Sequence, residues 1–217
     1  MNEKLVKSVL ILLFLHSCIA FTIRAQSVDV AMTDIAGFKN KLELSSENTK
    51  TIDCDFVQEK SSSMLTRKIS SKGHFWFKKP GYIRWEYTNP YYYLIIIAKK
   101  KVLTKEDGSK KQYDTQSNTM FKELGAMMFN FVQGNITACE KDYITIYTEN
   151  DKSYYVKLIP KSAKVQGMLS QVDLYFDKKD LSVSKIKMLE PGGDYTLIEF
   201  WNKKLNMDIS DTVFSTK

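Results

Sequence analysis

Two histidines and three cysteines among 217 residues leave little from which to build catalytic chemistry. His16 and Cys18 fall in an apolar leader, so His74 is the only imidazole beyond it. One imidazole cannot form a histidine-rich metal cluster. Any base-activated serine or cysteine would have to be built around that single ring. It sits in Gly73-His74-Phe75-Trp76, a β-prone run, and reads as an ordinary sheet position. There is no Cys-x-x-Cys pair to suggest a redox or zinc site. Nor is there a Gly-rich phosphate loop, since Pro191-Gly192-Gly193-Asp194 reads as a hairpin connection. The acidic pairs Asp53/Asp55 and Asp177/Asp180 are expected beside strand ends or turns, as solvated carboxylates. No catalytic residue, cofactor or metal is therefore expected, and the chain does not read as an enzyme. A formal charge of +7 is modest, its lysines are scattered, and no aromatic-plus-basic motif points to nucleic acid.

What is present begins with the leader. Lys4 and Lys7 precede an apolar run from Ser8 to Ile23, and the small Ala25 stands before Gln26. That is the layout of a secretory signal peptide over residues 1–25, leaving residues 26–217 as the exported domain. The apolar run is about 16 residues, short of the roughly 20 that cross a bilayer as a helix. Leu15-His16-Ser17-Cys18 offers a second reading, processing and acylation at Cys18, although His16 suits such a site poorly. Cys54 and Cys139 remain after export, where a disulfide is permitted but not implied.

The spacing of Val28, Ala31, Ile35, Phe38 and Leu42 predicts a helix over 28–44, ended by the polar run Ser45-Ser46-Glu47-Asn48. Strands are predicted over Thr51–Gln58, Ile69–Phe77, Tyr82–Tyr87, Tyr91–Ala98, Lys101–Lys105, Tyr143–Glu149, Tyr154–Ile159, Gln171–Phe176, Ser182–Leu189 and Tyr195–Trp201. The turn signals between them argue for consecutive antiparallel pairing. Met120, Phe121, Leu124, Met127, Met128, Phe131 and Val132 instead form a helical stripe closed by Gly134.

Roughly ten strands and two substantial helices must curl, or have one face covered, to hide their apolar side. The expected fold is α+β, mainly β. It is an incomplete antiparallel barrel of about 10–11 strands, covered by helices around an apolar cavity. A Met-rich stripe adapts to ligands of variable shape, but it reads equally well as plain core.

The ordered set Phe56-Val57-Gln58, Gly73-His74-Phe75-Trp76-Phe77-Lys78-Lys79-Pro80, Ile83-Arg84-Trp85-Glu86-Tyr87 and Asn89-Pro90 resembles the LolA family of periplasmic lipoprotein carriers, particularly its divergent Bacteroidetes-type form. Asp107-Gly108 and Tyr113-Asp114 look like the family's next hairpin. Lys99-Lys100-Lys101 and Lys110-Lys111 depart from the more apolar pattern of many relatives. The resemblance implies a monomeric periplasmic carrier for acylated lipoproteins. It would load from an inner-membrane ABC-type exporter and hand its cargo to an outer-membrane acceptor. It also implies an acyl-chain cavity drawn from Phe56, Phe75, Trp76, Phe77, Ile83, Trp85, Tyr87, Met120, Phe121, Leu124, Met127, Met128 and Phe131. The alternatives are an envelope sensor that binds a lipid or hydrophobic peptide, and a tethered acceptor acylated at Cys18.

Overall fold

The computed structural model describes residues 29–98, 101–106, 109–114, 129–130 and 135–215. Among them, twelve strands form one antiparallel sheet in the order β1-β8-β9-β10-β11-β12-β2-β3-β4-β5-β6-β7. The strands are β1 (Val30–Ala31), β2 (Thr51–Ser61), β3 (Ile69–Lys78), β4 (Tyr82–Asn89), β5 (Tyr93–Ala98), β6 (Lys101–Glu106), β7 (Ser109–Asp114), β8 (Tyr143–Glu149), β9 (Ser153–Pro160), β10 (Gln171–Asp177), β11 (Val183–Leu189) and β12 (Tyr195–Leu205). Two meanders, β2–β7 and β8–β12, are joined where β12 pairs with β2. β1 and β7 are left as the two edges, so the sheet stays open.

The turns follow from local chemistry. Asn150 Oδ1 accepts from the backbone N–H of Lys152 and Ser153, both at 2.9 Å, closing the β8–β9 connection. Gly81 holds φ at +86° between β3 and β4, a backbone shape that a side chain would strain.

The N-terminal helix corrects the expectation of 28–44. It is α1, Ile35–Asn48, and it starts because Asp34 Oδ1 accepts from Gly37 N at 2.8 Å. Ala31 fits the helical spacing, but it and Val30 instead pair with Thr148 and Glu149 of β8. The polar run Ser45–Asn48 belongs to the helix. Phe38 and Leu42 are its buried residues, and Ile35 is exposed. Phe38 packs on β8, β9 and β10, with ring centroids 6.2 Å from Tyr147, 4.6 Å from Tyr154 and 5.8 Å from Phe176.

Ring contacts measure the sheet's curvature. Trp85 on β4 and Phe200 on β12 have two strands between them, which in a flat sheet would separate them by about 14 Å. Their centroids lie 6.0 Å apart. The sheet is thus wrapped tightly around its inner face, which carries the main core. A second, smaller core lies on the outer face, where Leu94 and Ile96 of β5 meet Ile209 and Phe214.

Candidate ligand-binding face

Strand alternation puts Ile52, Cys54, Phe56 and Gln58 of β2 on the inner face. Opposite them on β3 are Phe77, Phe75, Gly73 and Ser71, and beyond on β4 are Ile83, Trp85 and Tyr87. β12 adds Ile198 and Phe200. Phe56, Phe75, Phe77, Ile83 and Trp85 are at most 3% exposed. Phe56 lies 4.7 Å from Trp85 and 5.1 Å from Tyr87, and Phe75 lies 5.2 Å from Trp85.

Six of the expected cavity residues therefore come together: Phe56, Phe75, Phe77, Ile83, Trp85 and Tyr87. Trp76 does not join them. It is one residue out of phase with Phe75 and Phe77, so it faces outward beside the second core. Met120, Phe121, Leu124, Met127, Met128 and Phe131 lie outside the described residues. Within that stretch residues 129–130 are helical, and Phe129 packs edge-on against Phe77 at 5.8 Å. The sequence reading passed over Phe129 because it sits off the apolar stripe. It also missed Phe200 and Ile198, although the alternation of β12 carried that signal.

Gly73 makes this face possible. A Cβ there would come within 2.0 Å of the Glu86 carbonyl oxygen and 2.7 Å of Phe56 Cζ. The missing side chain is the space into which the Phe56 ring settles.

The face is apolar at one end and polar at the other. The row Ile52–Phe77–Ile83 gives way to Cys54–Phe75–Trp85, then to Phe56–Gly73–Tyr87, then to Gln58 and Ser71. The Tyr87 hydroxyl donates to Gln58 Oε1 at 3.0 Å, and burial pushes its pKa up to about 12. Trp85 Nε1 is buried on this face. The Tyr87 hydroxyl lies within its reach, and that interaction, ahead of the Gln58 bond, holds the Tyr87 pKa down against burial.

Cys54 and Cys139 are free and buried, and burial pushes each thiol up to about 12, so neither is a nucleophile near neutral pH. A void of about 10 Å³ lies among Ile52, Cys54, Phe75, Val183 and Phe200, and a polar groove of about 140 Å³ separates α1 from Asn135–Thr137. Both fall short of the roughly 300–1,000 Å³ usual for a small-molecule site.

The charged motif residues pin the frame. Lys79 Nζ donates to the Ser46 and Glu47 carbonyls at 2.6 and 3.3 Å, closing the C-terminal end of α1. Lys78 Nζ reaches the Ile209 carbonyl and Asp211, each at 2.6 Å. Arg84 donates to the Val213 carbonyl at 3.0 Å and to Glu86 at 2.9 Å. Together these hold the C-terminal segment over the outer face. Asp53 and Asp55 lie along β2 rather than at a strand end, and their carboxylates flank His74, each 2.8 Å from one ring nitrogen. Asp55 also accepts from Asn202 at 2.8 Å, the main cause of its lowered pKa. Among the described residues no group of three or more His, Cys, Asp or Glu side chains is arranged to hold a metal ion. No helix there is long and apolar enough to cross a membrane.

The chain thus forms an open, curved antiparallel sheet with an aromatic inner face. The sequence pattern of the outer membrane lipoprotein carrier protein LolA family matches residues 47–217, and the chain belongs to that family. It is 21% identical to the outer-membrane lipoprotein carrier protein of Methylococcus capsulatus over 181 residues, covering 81% of each chain. An uncharacterized conserved protein from Thermus thermophilus shares the fold at 10% identity and a TM-score of 0.50, covering 82% of this chain and 91% of that one. A LolA superfamily protein from Nitrosomonas europaea aligns at 10% identity and a TM-score of 0.44, covering 82% and 97%.

Proposed function

We propose that residues 26–217 act in the periplasm as a non-catalytic carrier that shields the acyl chains of lipoproteins between an inner-membrane ABC-type exporter and an outer-membrane acceptor. The observation that carries this reading is the continuous apolar face across β12, β2, β3 and β4, in a chain of the lipoprotein carrier family. Each acyl CH₂ removed from water is worth about 0.8 kcal/mol, so a diacyl anchor needs a host to cross an aqueous space. The inner face supplies the floor, and residues 120–132 supply the cover. Phe129 on Phe77 is the contact that supports this placement. Since the void beneath the face is small, loading requires the packed side chains of that face to part.

The test is to mix purified residues 26–217 with a diacylated lipoprotein in detergent-free buffer and centrifuge at high speed. The wild type is expected to keep an equimolar amount of lipoprotein in the supernatant. Met127→Glu and Phe131→Glu should abolish this while leaving the β-sheet circular dichroism intact. Pelleting of the lipoprotein with the wild type sinks the carrier reading. Full retention by both variants sinks the placement of the cover.

A further inference from the structure

The hairpin between β2 and β3 ends in an apolar tip. The Leu65 N–H donates to the Ser62 carbonyl at 3.0 Å, which puts Ser63 and Met64 at the centre of a tight turn. Met64 is 91% exposed, and Leu65 beside it 39%. Turns are ordinarily built from small and polar residues, so the fold itself requires neither side chain there. The tip is nevertheless held in place. Asp194, on the neighbouring β11–β12 connection, accepts from the Ser62 hydroxyl at 2.5 Å and from the Ser63 N–H at 2.7 Å. Below it, Glu59 accepts from Lys68 at 2.9 Å and from the Tyr195 hydroxyl at 2.8 Å. Met64 is thus projected into solvent by a built support.

The charge along this hairpin is of one sign. Residues 60–72 hold Lys60, Arg67, Lys68 and Lys72 and no acidic side chain. Glu190 and Glu59 pair with Lys60 and Lys68, which leaves the exposed Arg67 and Lys72 without a carboxylate partner among the described residues. Two protruding apolar side chains offer far less than the roughly 800 Å² a side of a stable protein interface. They suit a partner that yields around them. A bilayer does so, and anionic head groups complement the cations behind the tip.

We infer that the β2–β3 tip is a shallow membrane contact, in which Met64 and Leu65 enter the head-group layer of an anionic phospholipid bilayer and Arg67 meets its phosphates. Lys72, further back, adds to the attraction. So few groups make a weak, reversible contact and not an anchor. The tip stands at the end of the sheet where the inner face is polar, beyond Gln58 and Ser71, so docking turns that end to the bilayer. The inference rests on the hairpin and stands with or without the carrier reading.

The test is flotation of the purified protein with large vesicles, one set of phosphatidylethanolamine and phosphatidylglycerol, the other of phosphatidylcholine alone. The wild type should float with the anionic set and bind the neutral set at least about tenfold more weakly. Met64→Glu should cost at least about tenfold on the anionic set. Arg67→Ala should cost about fivefold, the worth of one cation at such a surface. Both positions are exposed, so unchanged thermal midpoints should accompany these losses. A polarity-sensitive dye on Thr66→Cys reads the tip directly, since Cys54 and Cys139 are buried. Its emission should shift to the blue with anionic vesicles and stay in place with neutral ones. A wild type that binds neither set overturns the membrane contact and leaves the tip to a protein partner. Equal binding to both sets, undiminished binding by Met64→Glu, or an unshifted dye on bound protein also overturns it.

Discussion

Single positions decide what the inner face can be. Phe75, Trp76 and Phe77 are consecutive, and the pleat sends the middle one to the opposite side of the sheet. Grouping all three in one cavity ignored that alternation. Gly73 is legible as a motif residue, but the reason for it is not. Only the cross-strand register shows that Phe56 needs the space above it. Gly73→Ala should therefore destabilise the protein by about 2–3 kcal/mol in urea unfolding, as overpacking does where backbone cannot yield. A change of less than about 0.5 kcal/mol, the scale of an ordinary surface substitution, would contradict this account of Phe56.

Elements are held to one another by polar side chains that the sequence does not pair. Lys39 of α1 bonds Glu140, which also accepts from the Tyr147 hydroxyl on β8 at 2.6 Å. Helix, turn and strand β8 are thereby tied at one carboxylate. Burial raises the Glu140 pKa, but the donors Lys39, Tyr147 and Thr145 together outweigh it and leave it below 4.5. A carboxylate whose folded pKa is lowered contributes stability that is fully present above its unfolded value and lost as pH falls through the folded one. Thermal unfolding followed from pH 7 to pH 3 should show the wild type losing stability below about pH 4.5, with Glu140→Gln less stable at pH 7 and flatter in that acid arm. Parallel curves for the two proteins would remove Glu140 from the account. The strands themselves were largely legible, because alternation and turn chemistry are local. The start of α1 was not. Ala31 satisfies a helical period, and only tertiary pairing with β8 places it, with Val30, in a strand.

At the scale of the molecule, the sequence pattern pointed to a mostly β, unclosed sheet, and the twelve-stranded order agrees. Its curvature was not legible, since it depends on contacts such as Trp85 with Phe200 that span four strands. The family resemblance rested on an ordered set that mixes Lys78, Lys79, Arg84 and Gly73, which hold the frame, with Phe56, Trp85 and Tyr87 of the inner face. The lining emerges only once the strands are in register. The central claim, a free carrier with an acylated protein seated on its inner face, is tested most directly by intact mass spectrometry of the protein from the soluble envelope fraction of its host. The account predicts a chain beginning at Gln26, bound to acylated protein under non-denaturing spray and released from it on denaturation. A chain beginning at Cys18, covalently lipidated and recovered from membranes, would contradict it and make the protein a tethered acceptor or sensor.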